Sequence, residues 1–229
     1  MGFWNPLCEL LSDFQIVRCD FPGHGSSPTL RPSRSVIDLA DDLARALESA
    51  GPLHVVGISF GGLVAQQLAA RHPRVVDHLV LADTVMRYPA PMRRSWTERA
   101  ALVRDEGVEP LIEAMVTTWL SHNAARERPD LTKMVADLLR RCDPEGYALT
   151  CEALASANTE EALRLITAPT MVICGDADGR AFVEAATVLT ATIPGAQLRW
   201  LRGARHAGPL EMPDIFADLV RDFLPVKTN

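Results

Sequence analysis

Apolar positions along the 229-residue chain keep two different rhythms. Val36, Leu39, Ala40, Leu43 and Leu47 recur at helical spacing, which predicts an amphipathic helix that Ser35 can cap and Gly51-Pro52 stops. Short β-rich runs flank it. Residues 15–19 read as a buried strand, residues 53–56 as a second and residues 78–82 as a third, with a helix-compatible stretch over 63–71 ended by His72-Pro73. The loop Asp20-Phe21-Pro22-Gly23-His24-Gly25-Ser26-Ser27-Pro28 is dense in turn formers. From residue 88 to 166 no strand candidate occurs, only helical patterns such as Leu111, Ile112, Met115, Val116 and Trp119. β-character returns at 170–174 and 197–201, with helices predicted over 181–191 and 213–224.

Strands alternating with helices predict an α/β fold, a mostly parallel sheet with helices on both faces. The chain divides accordingly into a core over 1–85 and 167–229 and an all-helical lid over 86–166. The lid is expected over the carboxyl edge of the sheet, where open α/β sheets bind ligands.

Composition narrows the classes. A 48% apolar and 23% charged chain with no long uncharged run is neither a disordered tail nor a membrane span. Its formal charge of −6 supplies no basic face for nucleic acid. Five cysteines without Cys-x-x-Cys spacing favour free thiols in a reducing compartment. Met1-Gly2 is followed by Pro6 where a myristoylation signal wants Ser or Thr, and no basic stretch leads into an apolar run. A cytoplasmic setting is therefore expected.

The segment Gly57-Ile58-Ser59-Phe60-Gly61 matches Gly-x-Ser-x-Gly between a predicted strand and a predicted helix, the context that lifts a serine hydroxyl above a sheet. A serine becomes a nucleophile when a histidine takes its proton and a carboxylate orients that histidine. Of six histidines only His206 lies beyond all the core strands, in the loop Gly203-Ala204-Arg205-His206-Ala207-Gly208. For the acid, Asp178 is favoured, with Asp176 and Asp83 as alternatives at the same edge of the sheet.

These motifs resemble the α/β-hydrolase superfamily: the loop Arg18 to Ser27, the elbow Gly57 to Gly61, Gly175-x-x-Asp178, and Gly203-x-x-His206 with Glu211 and Pro213 behind it. The resemblance implies nucleophile Ser59, acid Asp178 and base His206. It also implies an oxyanion hole built from the Phe60 N–H and a second N–H from a loop near the amino end. Asp143-Pro144-Glu145-Gly146-Tyr147-Ala148 with Cys151-Glu152-Ala153 is similar to the 3-oxoadipate enol-lactonases. This implies opening of a lactone or ester through an acyl-enzyme; other chemistry of the superfamily, such as carboxylester, carbon–carbon or perhydrolytic reactions, is the alternative, as is a weakly active or non-catalytic hydrolase fold. Trp119 and Arg126 are expected to contact substrate, with Arg93, Arg94 and Arg128 as further cations. No metal, organic cofactor, nucleic acid or membrane is expected; the partner is a small lactone or ester.

The chain departs from the family in two places. A strand followed by a His-Gly loop is expected ahead of the segment at residues 1–6, and nothing corresponds to it. Either residues 15–19 then pair directly with residues 53–56, or a gap leaves backbone groups unsatisfied at about 1–3 kcal/mol per buried group. The second oxyanion donor is expected to be missing with it. The loop after Asp178, with Gly179-Arg180, is also shorter than the family pattern.

Overall fold

The computed structural model describes residues 2–225; Met1 and residues 226–229, which fall within the expected core segments, lie outside the described residues. Four parallel strands form the sheet among them, in the order β1 (Leu53–Ile58), β2 (Val76–Ala82), β3 (Thr170–Gly175) and β4 (Gln197–Leu201). Helices connect the strands, which is what lets neighbours run parallel. α1 (Asn5–Leu10) and α2 (Val36–Ala46) precede β1, and α3 (Phe60–Arg71) joins β1 to β2. α9 (Arg180–Thr192) joins β3 to β4, and α10 (Gly208–Glu211) and α11 (Pro213–Phe223) complete the described chain.

Side chains alternate between the two faces as strand geometry requires. Leu79, Leu81, Val172 and Cys174 pack on one face with Leu39 of α2, Leu63 and Leu68 of α3 and Leu189 of α9. Val80, Ala82, Met171 and Ile173 pack on the other with Leu7 of α1 and Phe216 and Val220 of α11. Ser35 caps α2 as expected and does so reciprocally: its hydroxyl accepts from the Asp38 N–H while the Asp38 carboxylate accepts from the Ser35 N–H.

Between β2 and β3 the chain is helical. α4 (Ala90–Glu106), α5 (Ile112–Trp119), α6 (His122–Glu127), α7 (Pro129–Arg140) and α8 (Pro144–Ser156) share their own core, around Val103, Leu120, Val135, Leu139 and Cys151. The motif at 143–148 has a structural job here. The Asp143 carboxylate accepts from the Gly146 N–H at 3.0 Å and from the Thr29 hydroxyl, and the Asp143 N–H donates to the Gly23 carbonyl at 3.1 Å. A Cβ on Gly146 would lie 2.3 Å from the Gly23 Cα, so only glycine lets α8 touch the 20–28 loop this closely.

The expected strand at residues 15–19 is absent. That segment has no regular structure and is exposed, with Ile16 39% and Val17 61% accessible, and no ladder of hydrogen bonds joins it to β1. It follows β1 at a distance: Phe14 stacks edge-on against His54 near the start of the strand, and Phe21 against Phe60 just past its end. β-branched residues give a segment the propensity for a strand, and without a ladder partner the propensity goes unused. The direct pairing expected of residues 15–19 with residues 53–56 is not realised. β1 instead forms a half-buried edge of the sheet.

Candidate active site

Parallel strands bring four loops to one edge. Ser59 follows β1, Asp83 follows β2, Asp178 lies three residues beyond β3 and His206 five beyond β4. The helix α3 starts at Phe60, earlier than its periodicity predicts, which leaves Ser59 alone in the turn with φ +50°. Non-glycine residues rarely hold a positive φ, and such strain persists only where packing over-determines it. Here a Cβ on Gly57 would meet the Gly61 carbonyl at 2.5 Å, and one on Gly62 would meet Thr84 at 2.5 Å. The Thr84 hydroxyl in turn donates to the Ser59 carbonyl at 2.7 Å. At Gly61 a Cβ would find only the Phe21 ring, at 3.8 Å, so crowding forces glycine at 57 and 62 but not at 61.

Ser59, His206 and Asp178 stand in one hydrogen-bonded row. His206 Nε2 lies 2.9 Å from Ser59 Oγ, and Nδ1 lies 2.9 Å from Asp178 Oδ2. The carboxylate can only accept, so neutral His206 carries its proton on Nδ1 and presents a lone pair to the serine hydroxyl. Asp178 is fixed through its other oxygen by the Gly179 N–H at 2.6 Å, and its side chain is 1% exposed. Burial opposes the charged imidazolium, yet the Asp178 hydrogen bond and charge, with Asp83 behind, hold the His206 pKa above its ordinary value of 6.5. Phe182 packs on the imidazole, ring centroids 4.4 Å apart.

The two other aspartates have different work. Asp176 closes its loop, accepting from the Gly203 N–H at 2.6 Å and pairing with Arg202. Asp83 accepts from the Gly175 N–H at 2.8 Å through Oδ1, while Oδ2 is buried without a partner. Burial pushes the Asp83 carboxyl up to about 7. Asp83, Cys174 and Asp178 bring three potential ligand atoms together. Burial raises the Cys174 thiol as it does Asp83, so two of the three favour their protonated forms, the reverse of what metal ligation needs.

The helical block holds the His206 loop. The Ala207 N–H donates to the Trp119 carbonyl at 2.9 Å, Arg205 reaches the Thr117 carbonyl, and Glu211 accepts from the N–H groups of Arg205 and Ser121. Trp119 therefore meets the site through its backbone, while its ring stands edge-on to Phe3. Arg126 is not brought to the site: it lies exposed on α6, paired with Glu127 at 2.6 Å, and Arg128 is likewise paired with Asp130. Sequence reasoning missed Tyr88, Trp96 and Arg99. Tyr88 is buried with its hydroxyl beside Ser59, and Trp96 has a buried Nε1 without a partner among the described residues. Arg99 stacks over the Trp96 ring at 4.5 Å and has no carboxylate within ion-pair distance among the described residues. Trp96 and Arg99 stand at i and i+3 on α4, a signal available in the sequence, whereas Tyr88 precedes the helix. An apolar crevice lined by Phe21, Pro22, Leu30, Phe60 and Leu149 adjoins the elbow.

Known proteins resemble the chain over most of its length. The chain is 29% identical over 219 residues to 3-oxoadipate enol-lactonase 2 of Acinetobacter baylyi, covering 94% of this chain and 81% of the relative. The enol-lactonase from Burkholderia xenovorans LB400 superposes with a TM-score of 0.91 at 30% identity, over 97% of this chain and 85% of that one. A thermophilic esterase from Thermogutta terrifontis gives the same TM-score at 26% identity, over 99% and 86%. Residues 2–219 match the family model described as the alpha/beta hydrolase family, and the chain belongs to that family.

Proposed function

We propose that this hydrolase opens a lactone or ester through an acyl-enzyme on Ser59. The observation that carries the proposal is the row Asp178–His206–Ser59, with both bonds at 2.9 Å and the serine held at positive φ. In the first step Ser59 Oγ attacks the carbonyl carbon while His206 Nε2 accepts the hydroxyl proton. The tetrahedral oxyanion takes a hydrogen bond from the Phe60 N–H, a first-turn amide of α3 that has no intrahelical acceptor. Collapse expels the alkoxide or enolate, to which His206 returns the proton. An enol then tautomerises to its ketone. Water, deprotonated by His206, attacks the acyl-enzyme and frees Ser59. Asp178 keeps the imidazole in its Nδ1–H tautomer throughout and stabilises the transient cation.

For substrate we propose an enol-lactone carrying a carboxylate, of the 3-oxoadipate type. The names of two relatives support this, as do the Trp96 Nε1–H, without a partner among the described residues, and the cation of Arg99, which has no carboxylate of its own there. Arg99 takes the role first given to Arg126. The esterase relative supports simple esters as a second substrate class for the same machinery. A spectrophotometric ring-opening assay tests the proposal: turnover by the unaltered protein and none by Ser59→Ala is expected, and comparable turnover by both would overturn it.

A further inference from the structure

At the amino end of the sheet, far from Ser59, three potential ligand groups face one another. His54 on β1 is paired in register with His78 on β2, and the register shifts between Leu53 and His54, so that Asp77 is an extra residue opposite the junction. Such a bulge bends the strand and re-aims a side chain. It lets Asp77 and His78, which are neighbours in sequence, both reach His54. Asp77 Oδ2 lies 3.3 Å from His54 Nδ1 and 3.3 Å from His78 Nδ1, and all three atoms fall within 4.8 Å of one another.

Hydrogen bonding decides what these atoms offer. His54 Nε2 is 3.2 Å from the Pro225 carbonyl, which can only accept, so Nε2 carries the proton of the neutral ring. Nδ1 is then a bare lone pair. It is buried and without a hydrogen-bond partner among the described residues, although a carboxylate oxygen stands 3.3 Å away. Two lone pairs at that separation repel unless a positive charge, a proton or a metal ion, lies between them. The Asp77 carboxylate can only accept, so His78 Nδ1 at 3.3 Å donates to it and must lose that proton to ligate a metal. A metal-bound histidine usually donates its other ring N–H to a carbonyl or carboxylate in just this way. The 3.3 Å separations equal the edge of a tetrahedron around an ion with bonds of about 2.0–2.1 Å, which gives edges of about 3.3 Å. Phe14 stacks against His54 and Phe223 against His78, walling the two imidazoles, while Asp77 is the more open side at 37% exposure.

We propose that His54, Asp77 and His78 form a binding site for a divalent transition-metal cation of the zinc type, with water completing the shell. Two imidazoles and one carboxylate suit zinc rather than magnesium or calcium, which prefer all-oxygen shells. The sequence spacing hid the site, because His54 lies more than twenty residues from its partners and only strand pairing brings them together. His54 is separated from Ser59 by five residues of β1, roughly 16 Å at the rise of a strand, so the ion takes no part in hydrolysis. It clamps β1 to β2 and, through the Pro225 carbonyl, to the end of α11.

The test uses the full chain, stripped with a chelator and titrated with ZnCl2 in a calorimeter. One Zn2+ per chain is expected, with affinity falling by about 100-fold or more in His54→Gln and in His78→Gln, while both variants keep the unaltered circular dichroism and hydrolytic activity. Asp77→Asn should weaken binding as well. Cys174→Ala, beside the other cluster of potential ligands, should leave it unchanged. Co2+ in place of Zn2+ should give the intense visible bands of four-coordinate cobalt. No binding by the unaltered chain, binding that survives in both histidine variants, or the weak spectrum of six-coordinate cobalt would each overturn the proposal.

Discussion

At the carboxyl end of the sheet His206 stands between Asp178 and Ser59, 2.9 Å from each; at the amino end His54 stands between the Pro225 carbonyl and Asp77, at 3.2 and 3.3 Å. Both pair a histidine with an aspartate, yet they differ in everything that proton transfer needs. The Asp178 side chain is 1% exposed and that of Asp77 is 37%. His206 faces a hydroxyl held in a strained turn, whereas His54 faces a second histidine. A third pair, His72 with Asp41 at 2.6 Å, sits on the surface beside Arg71, which with His72 holds the Asp41 carboxyl down at about 2. A histidine beside an aspartate is thus uninformative by itself. Desolvation, a fixed second carboxylate oxygen and an aligned nucleophile are what distinguish the carboxyl end.

The comparison breaks most sharply at the nucleophile. Ser59→Ala should lower kcat by about 10⁵-fold or more, read in a hydrolysis assay with binding checked separately. Next come the two aspartates, altered in the same way. Asp178→Asn should lower kcat by about 10⁴-fold, because the amide leaves His206 in the wrong tautomer. Asp77→Asn at the other end should leave turnover within about twofold of the unaltered protein, as surface changes away from a site usually do. Equal losses in the two variants would erase the distinction between the ends. Arg99→Ala should raise KM for a carboxylate-bearing lactone by about 10- to 100-fold, corresponding to one charged hydrogen bond, with little change for an uncharged ester.

The smallest effect concerns pH. Activity requires neutral His206, so kcat/KM should rise with pH through an apparent pKa above 6.5. Stability runs the other way. Because folding raises the His206 pKa, its protonated form stabilises the fold below the ordinary value, and that contribution is lost as pH climbs through the folded pKa. Asp83, whose carboxyl burial pushes up to about 7, lies behind His206, and its charged form supports protonation of the imidazole. Asp83→Asn keeps an acceptor for the Gly175 N–H and should move the acid limb of the pH–rate profile to lower pH; an unmoved limb would uncouple the two groups.

Much of the carboxyl end was legible in the sequence, because Ser59, Asp178 and His206 each follow a strand whose apolar run ends visibly. Asp176 and Asp178 could be separated only by the structure, since the difference lies in which side chain turns back to its own loop and which turns inward. The lid motif at 143–148 was legible as a family mark, and its hydrogen bonds show that it docks α8 to the Gly23 turn. Arg126 was selected by charge alone, and charge says nothing about facing; Arg99 is distinguished by stacking on Trp96, which needs coordinates. Residues 15–19 were misread for a related reason: β-propensity is local, whereas a strand requires a neighbour. The His54 site was invisible, because a register shift created it.

Labelling with a fluorophosphonate probe, followed by mass spectrometry of the digested protein, tests the central claim most directly. One adduct per chain on Ser59, lost in His206→Ala and retained in His54→Gln, is the predicted result. Folded protein that stays unlabelled, or an adduct on any other residue, would contradict the assignment of Ser59 as the nucleophile.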